Sequence, residues 1–293
     1  MKIIIIGASG LIGSHLYETL KKKKINVIGT YFKNKKFKNF VHFDLLKHSI
    51  SKLKITGEDI IILLSAKTNP GWVSKNKNNT KKLNVEYTKK FINKIIKIGA
   101  KIVFMSSVEV FDGKKNNFNE NDKPKPLNFY GKTKLDVERF IQKNSKNYLI
   151  FRTSWNSDIS LHNRCVIELT YKSILNKNAK MAKDNLFCVT HVKDTVNLII
   201  KNIFIKNKII HISNTQKISR SNLAKLIKQK SKKGGEMFYK ITRFKDIDYL
   251  EPRGLKNILV SNVETVKKYK FKSIEFILNK KIKLLDTSNI NLT

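Results

Sequence analysis

The sequence predicts an α/β protein: a doubly wound parallel sheet with helices on its faces, followed by a smaller α+β domain. Two observations carry this expectation. Short β-rich runs alternate with amphipathic helical runs through the first half, the pattern of a parallel sheet, and the alternation weakens from Ser154 onward. A length of 293 residues with 41% hydrophobic side chains is enough to bury one large core or two unequal ones. The expected division is a first domain over 1–152, to which 186–213 returns, and a smaller one over 153–185 and 214–293.

Residues 2–6, 26–30, 40–43, 59–64, 101–105 and 148–152 are rich in β-branched and aromatic side chains and read as strands. Between them, 11–23 and 80–98 carry apolar residues at helical spacing, with Leu83, Tyr87, Phe91, Ile95 and Ile98 on one face. These are the crossover helices that parallel strands require. A further helix opens at Tyr130 and runs through Leu135, Val137, Phe140 and Ile141. In the second half a helix is expected over 164–175, a strand over 209–212, and helices over 220–230 and 263–269. The stretches 33–39 and 71–79 are expected as exposed loops, and 287–293 as a frayed tail.

Composition narrows the functional classes. The longest apolar runs, Ile3 to Ile6 and Ile60 to Leu64, fall far short of the roughly 18 residues of a membrane span. Met1 leads straight into a strand-like run, so no signal peptide is expected. Cys165 and Cys188 are too few for a disulfide framework and lack the spacing of a zinc site, and the six histidines are scattered. His191 is expected to support the loop between the domains. No metal is expected, and the cysteine usage fits a cytoplasmic enzyme. The formal charge of +38 comes from 54 Lys and only 6 Arg, beside 31 Asn and 6 Ala, the imprint of an A+T-rich genome. Nucleic-acid surfaces favour Arg forks and stacked aromatics, whereas these lysines run the length of the chain. A solvated lysine coat accounts for the charge, with no specific nucleic acid and no membrane as partner. It still predicts attraction for phosphorylated ligands and salt-sensitive adventitious binding to nucleic acid.

Gly7-Ala8-Ser9-Gly10-Leu11-Ile12-Gly13 follows the first strand directly and opens the first helix. Glycines there allow a pyrophosphate to approach the backbone, and the helix N-terminus offers N–H groups and a positive dipole. The turn is therefore a dinucleotide-binding loop of a Rossmann-type domain, with Gly7, Ser9, Gly10, Leu11, Ile12 and Gly13 lining it. A site selective for NAD places an acid about twenty residues further on, at the end of the second strand. Here Thr30, Tyr31, Phe32 and Lys33 occupy that point, with Lys35 and Lys36 following. The absence of an acid and the lysines favour NADP(H) over NAD(H), although a chain so rich in Lys supplies lysines to many short windows by composition alone.

Met105-Ser106-Ser107 closes a strand, and Tyr130 and Lys134 lie four apart on one helical face. A tyrosine beside an ammonium and a cationic nicotinamide is expected to have its pKa lowered from about 10 toward working pH, which suits proton transfer. Ser107, Tyr130 and Lys134 are the candidate catalytic residues.

The spacing G-x-x-G-x-x-G together with Ser107, Tyr130 and Lys134 resembles the extended short-chain dehydrogenase/reductase superfamily. In that family Ser107 would hold the substrate oxygen, Tyr130 would be the general acid or base, and Lys134 would bind the ribose hydroxyls and tune Tyr130. The resemblance implies an adenine contact at Asp44 and Leu45 and a nicotinamide-ribose loop at Ser65 and Ala66. The stretches Ser106 to Lys114 and Pro126 to Lys134 resemble the dTDP-4-dehydrorhamnose reductase branch, with further matches at Arg152 to Trp155, Thr190 to Asp194, Pro252, Arg253 and Asn257. Trp155 and Arg253 are the implied substrate contacts, since a guanidinium grips phosphate bidentately. Val108 and Glu109 depart from the reductase's Asp-Tyr pair. Related dehydratases and decarboxylases place Glu where Glu109 stands, so this residue is either a proton-handling carboxylate or a solvated loop residue.

The expected function is NADPH-dependent reduction of a nucleotide-diphosphate 4-keto-deoxysugar in surface polysaccharide biosynthesis. The alternatives are an NAD-dependent epimerase, dehydratase or decarboxylase with tightly bound cofactor, and a non-catalytic NADP-sensing subunit. A homodimer is usual in the resembling family.

Overall fold

The computed structural model describes residues 1–160, 165–177 and 179–288. Six strands form in the first half: β1 (Ile3–Ile6), β2 (Val27–Tyr31), β3 (Val41–His42), β4 (Ile60–Leu63), β5 (Lys101–Ser107) and β6 (Tyr148–Thr153). Beyond them come β7 (Trp155–Ser157), β8 (Ala179–Ala182), β9 (Leu186–His191) and β10 (Lys208–Ile212). The large sheet has seven parallel strands in the order β10-β6-β5-β4-β1-β2-β3. The strand order reverses between β1 and β4, the place in such sheets where ligands bind beyond the carboxyl ends of the strands.

Strand alternation divides the core. Ile3 and Ile5 face one layer with Leu16, Tyr17 and Leu20 of helix α1 (Leu11–Lys22). Ile4 and Ile6 face the other with Phe91, Ile92 and Ile95. A strand buried on both faces needs no polar residue, which is why β1 and β4 read as unbroken apolar runs.

The expected loop over 71–79 is helical: α2 (Pro70–Lys75) and α3 (Lys77–Lys81). Asn69 caps α2 by accepting from the Trp72 N–H at 2.9 Å, and Pro70 takes the first helical turn, where its missing N–H costs nothing. The crossover helix expected over 80–98 is broken by a π turn over Lys82–Tyr87 before α4 (Thr88–Ile98). Helix α5 (Phe129–Asn144) follows β5, and α6 (Val166–Leu175) follows β7. Arg164, where that last helix was expected to begin, and Asn289 to Thr293 of the expected tail lie outside the described residues.

Helix α7 (Val192–Asn202) packs its Val196, Leu198 and Ile199 into the core beside α1, and β10 then joins the large sheet. Strand β9 belongs to a smaller sheet instead, pairing with β7, with β11 (Lys217–Ile218) and with a short strand at Lys256–Asn257. Between those last two, β12 (Tyr239–Thr242) pairs only with β8; the Lys256–Asn257 strand is β13. A second core lies against this smaller sheet, built with α6, α8 (Arg220–Lys230) and, beyond the four-residue α9 (Glu264–Lys267), α10 (Ile274–Thr287).

Asp59, just ahead of β4, fastens the start of β1. Its carboxylate accepts from the Lys2 N–H at 2.8 Å, the Lys2 ammonium at 2.7 Å and the Thr56 N–H at 2.8 Å. Burial alone would raise its pKa, but these donors outweigh it and hold the group at about 2. A carboxyl whose folded pKa lies below its unfolded value of about 3.9 stabilises the fold above that pH and loses the contribution as pH falls through the folded value. Asp59→Asn is expected to lower the melting temperature at about pH 6, with the gap to the native chain closing between about pH 4 and pH 2 in scanning calorimetry.

Candidate active site

The glycine loop sits at the carboxyl end of β1. Gly7 has φ of +86°, and a Cβ there would meet Ser65 N at 2.9 Å, so the turn needs glycine. A Cβ at Gly13 would lie 2.7 Å from Ala8 Cα and from the Gly7 carbonyl, which lets α1 pack tightly on the strand. Gly10 differs: its nearest such neighbour is 3.4 Å away, and it caps α1 with no side-chain hydrogen bond. Thr30 pins the loop to β2, its hydroxyl accepting from Gly7 N–H at 3.1 Å and its carbonyl from Ala8 N–H at 2.8 Å. Ser9, Leu11 and Ile12 are half-buried along the same opening.

The other expected cofactor residues gather at the same sheet edge. Tyr31 ends β2 half-buried, Lys33 is exposed beyond it, and Lys35 stands 5.9 Å over the Tyr31 ring. Lys36 turns the other way and donates to the Ser14 hydroxyl on α1 at 2.9 Å. Asp44 is buried and shapes its own turn, accepting from the Leu46 N–H at 2.9 Å, with Leu45 half-buried beside it. Ser65 and Ala66 follow β4, and the next residue is clamped by Asn84. That side chain accepts from Lys67 N–H and donates to Lys67 O, both at 2.9 Å. Asn84 lies in the π turn, a local widening of the helix with which sequence periodicity gives no help.

At the carboxyl end of β5, Ser107 accepts from the Glu109 N–H at 3.2 Å, and the Tyr130 side chain lies beside it. Tyr130 and Lys134 project from the first turns of α5, both buried. Asn128 caps that helix by accepting from the Gly131 N–H at 2.8 Å, and its amide donates to Glu109 Oε2 at 2.6 Å. A Cβ at Gly131 would fall 1.9 Å from the Glu109 carbonyl, so helix and turn meet backbone to backbone. Asn257 donates to the other Glu109 oxygen at 3.4 Å.

The expected lowering of the Tyr130 pKa is not what the structure shows. Burial raises it above the ordinary phenol value, and the Glu109 charge raises it further, against the Ser107 side chain. Lys134 does not oppose this, because its ammonium donates to the Met105 carbonyl at 2.8 Å and stands 5.8 Å from the Tyr130 ring centroid. Burial pulls Lys134 down to about 8, with Glu138 opposing. Burial also raises Glu109, against Asn128 and Arg253. Each of the three groups is thus shifted toward its neutral form, the condition in which small changes of surroundings move protons.

Glu109 lines a small cleft of about 60 Å³ with residues of the smaller sheet and of the segment 244–257. Trp155 and Arg253, the implied substrate contacts, line it, with Arg253 4.7 Å over the Tyr249 ring. The sequence reading missed Arg220, which opens α8, donates to the Thr170 hydroxyl at 3.1 Å and lines the same wall. Burial lowers its pKa to about 10, and the Arg253 charge lowers it too. The scarcity of Arg that singled out Arg253 applies equally to Arg220.

The large parallel sheet with the glycine loop at the carboxyl end of β1 is a Rossmann-like fold. The chain belongs to the RmlD substrate binding domain family, whose profile matches residues 1–249. The beta subunit of methionine adenosyltransferase 2 from Rattus norvegicus is 26% identical over 204 residues, 67% of this chain and 60% of that protein. The match therefore spans less than two thirds of that relative's length. A dTDP-4-dehydrorhamnose reductase structure from Clostridium acetobutylicum superposes with a TM-score of 0.82 at 23% identity, covering 98% of this chain and 100% of that one. Another from Bacillus anthracis, in complex with NADP, gives 0.78 at 23% identity over 97% and 100%.

Two glycines of the site are expected to respond differently to a methyl group. Gly131→Ala drives a Cβ into the Glu109 carbonyl and is expected to lower the melting temperature by several degrees, whereas Gly10→Ala, whose Cβ would meet the Gly7 carbonyl only at an ordinary contact distance of 3.4 Å, is expected to leave it nearly unchanged. Thermal unfolding of the two variants side by side checks this.

Proposed function

We propose that the chain is an NADPH-dependent reductase of a nucleotide-diphosphate 4-keto sugar, acting in the assembly of surface polysaccharide. The observation that carries the reading is the convergence of Ser107, Tyr130 and Lys134 beside Glu109, which itself lines a cleft with Arg220 and Arg253.

The residues present fit a dinucleotide. Gly10 leaves room where a side chain would stand, and the N-terminus of α1 carries no side-chain cap, so its N–H groups suit a pyrophosphate. Asp44 and Leu45 would flank the adenine, Ser65 and Ala66 the nicotinamide ribose, and Tyr31 and Lys33 a 2′-phosphate. NADPH, when bound, supplies the hydride.

The chain's own residues would do the rest. Ser107 would hold the keto oxygen, and Tyr130 would give it a proton. A tyrosine whose pKa is raised by burial and by Glu109 enters the reaction protonated, as reduction requires. Lys134 would bind the ribose hydroxyls and, once drawn from Met105 O, stabilise the phenolate left behind. Two guanidiniums near enough for one to depress the other's pKa favour a shared anion, and the substrate's diphosphate is that anion. Trp155 would cover the sugar or base.

Glu109 favours a second reading: a carboxyl held by two amides beside Tyr130 could exchange a proton on the carbon next to a ketone, as an epimerase, dehydratase or decarboxylase with retained NAD would need. The relatives that are beta subunits of another enzyme favour a third, a non-catalytic cofactor-binding subunit. The intact Ser107, Tyr130 and Lys134 set supports the catalytic readings.

Tyr130→Phe is expected to reduce NADPH oxidation with a 4-keto sugar nucleotide at least about a hundredfold, while NADPH affinity stays within a few-fold. Turnover retained in that variant would sink the assignment of the proton donor.

A further inference from the structure

Glu138 lies one helical turn beyond Lys134 on α5 and has no exposed surface. Arg152 of β6, 2% exposed, grips it with Nη2 at 2.6 Å from Oε2 and Nε at 3.0 and 3.2 Å from the two oxygens. Such a buried pair adds little stability over packed apolar side chains of the same volume, so its place beneath a buried lysine is the informative feature. The pair is a fixed dipole. Its carboxylate shares the helical face of Lys134, while its guanidinium stacks on Phe111 at 5.1 Å and meets His211 Nε2 at 3.4 Å.

We propose that the Glu138–Arg152 pair is a positioning element of the active site: Glu138, one turn beyond Lys134 on the same helical face and fixed there by the Arg152 guanidinium, sets the electrostatic surroundings of the buried Lys134 ammonium. The functional weight of this rests on the reading of Lys134 given above. Among the described residues the Lys134 ammonium has one hydrogen-bond acceptor, the Met105 carbonyl, in a buried setting. An ammonium so poorly solvated loses its proton easily; burial already brings Lys134 down to about 8, and Glu138 acts against it.

The charged and titratable groups on the surrounding elements are few. Tyr130 and Glu138 stand on the same helix, Glu109 on the turn after β5, Arg152 on β6 and His211 on β10. On the outer side of α5, Lys89 of α4 is paired with Asp136. Burial holds His211 down to about 4, so it is neutral near pH 7 and accepts from Arg152 rather than competing for Glu138. Its Nδ1–H is then shared by the carbonyls of Phe118 and Val260, at 3.2 and 3.0 Å.

The test is a carbon NMR titration of the full chain labelled with [ε-13C]lysine, without cofactor or substrate. Two lysines are expected to titrate far below the rest, Lys134 and Lys101, each brought to about 8 by burial. Lys134→Met identifies the first. In Glu138→Gln the Lys134 titration is expected to fall by about one pH unit or more, a tenfold loss of proton affinity, while Lys101, bonded to Ile205 O, stays in place. Should the single variant fold poorly, the double variant Glu138→Leu with Arg152→Met replaces the pair by apolar side chains and gives the same readout. A Lys134 titration unmoved in the folded variant overturns the proposal. The measurement needs no turnover, so it stands or falls separately from the catalytic assignment.

Discussion

The candidate site depends on one contact, the first turn of α5 pressed against the backbone after β5. No side chain fits between Gly131 and the Glu109 carbonyl, where a Cβ would come within 1.9 Å. Asn128 stitches the same seam from both sides, capping the helix through Gly131 N–H and holding the Glu109 carboxylate. The consequence is geometric: Tyr130 is brought against Ser107, and Glu109 is turned toward the cleft. A second glycine contact completes the arrangement. Gly113, at φ of +67°, would place a Cβ 2.4 Å from Gly254 Cα, so the segment carrying Arg253 and Asn257 closes directly on the one carrying Glu109.

Close packing of backbone explains the electrostatics. Burial draws Tyr130, Lys134 and Glu109 toward neutrality; the Glu109 charge adds to this at Tyr130, whereas Glu138 opposes it at Lys134, and Asn128 and Arg253 oppose it at Glu109. Isolated charges in such a place would be costly, and the fold answers with amides at Glu109, a carbonyl at Lys134 and a carboxylate one turn further along α5. The cationic wall at Arg220 and Arg253 lines the same cleft as Glu109, where an anionic ligand would be met by half-buried guanidiniums rather than by the solvated lysines that dominate the surface.

Much of this was legible in the sequence for physical reasons. The strands Ile3–Ile6 and Ile60–Leu63 are buried on both faces, so they announce themselves as unbroken apolar runs, and the glycine loop needs its residues for local steric reasons. The smaller sheet was largely hidden, because strands as short as Lys217–Ile218 and Lys256–Asn257 exist through pairing with β9 rather than through their own composition. Helix α10 was hidden by a buried cation: Lys281 sits in its apolar face and pairs with Glu168 of α6, so the stripe reads as interrupted. The upward shift of Tyr130 could not be read from spacing, since helical spacing puts Lys134 on the right face but does not reveal that Met105 O takes its proton donor.

The central claim is that this cleft passes a hydride to the carbonyl of a nucleotide-linked sugar, and isotope transfer tests it most directly. The protein is incubated with NADPH deuterated on the transferred face and a dTDP-4-keto-6-deoxysugar, and the sugar nucleotide is recovered for mass spectrometry and NMR. The account predicts one deuterium on the new carbinol carbon, with NADP formed in equal amount. A recovered keto sugar without deuterium, at cofactor concentrations where binding is saturated, would contradict it and leave a protein that binds its dinucleotide without using it.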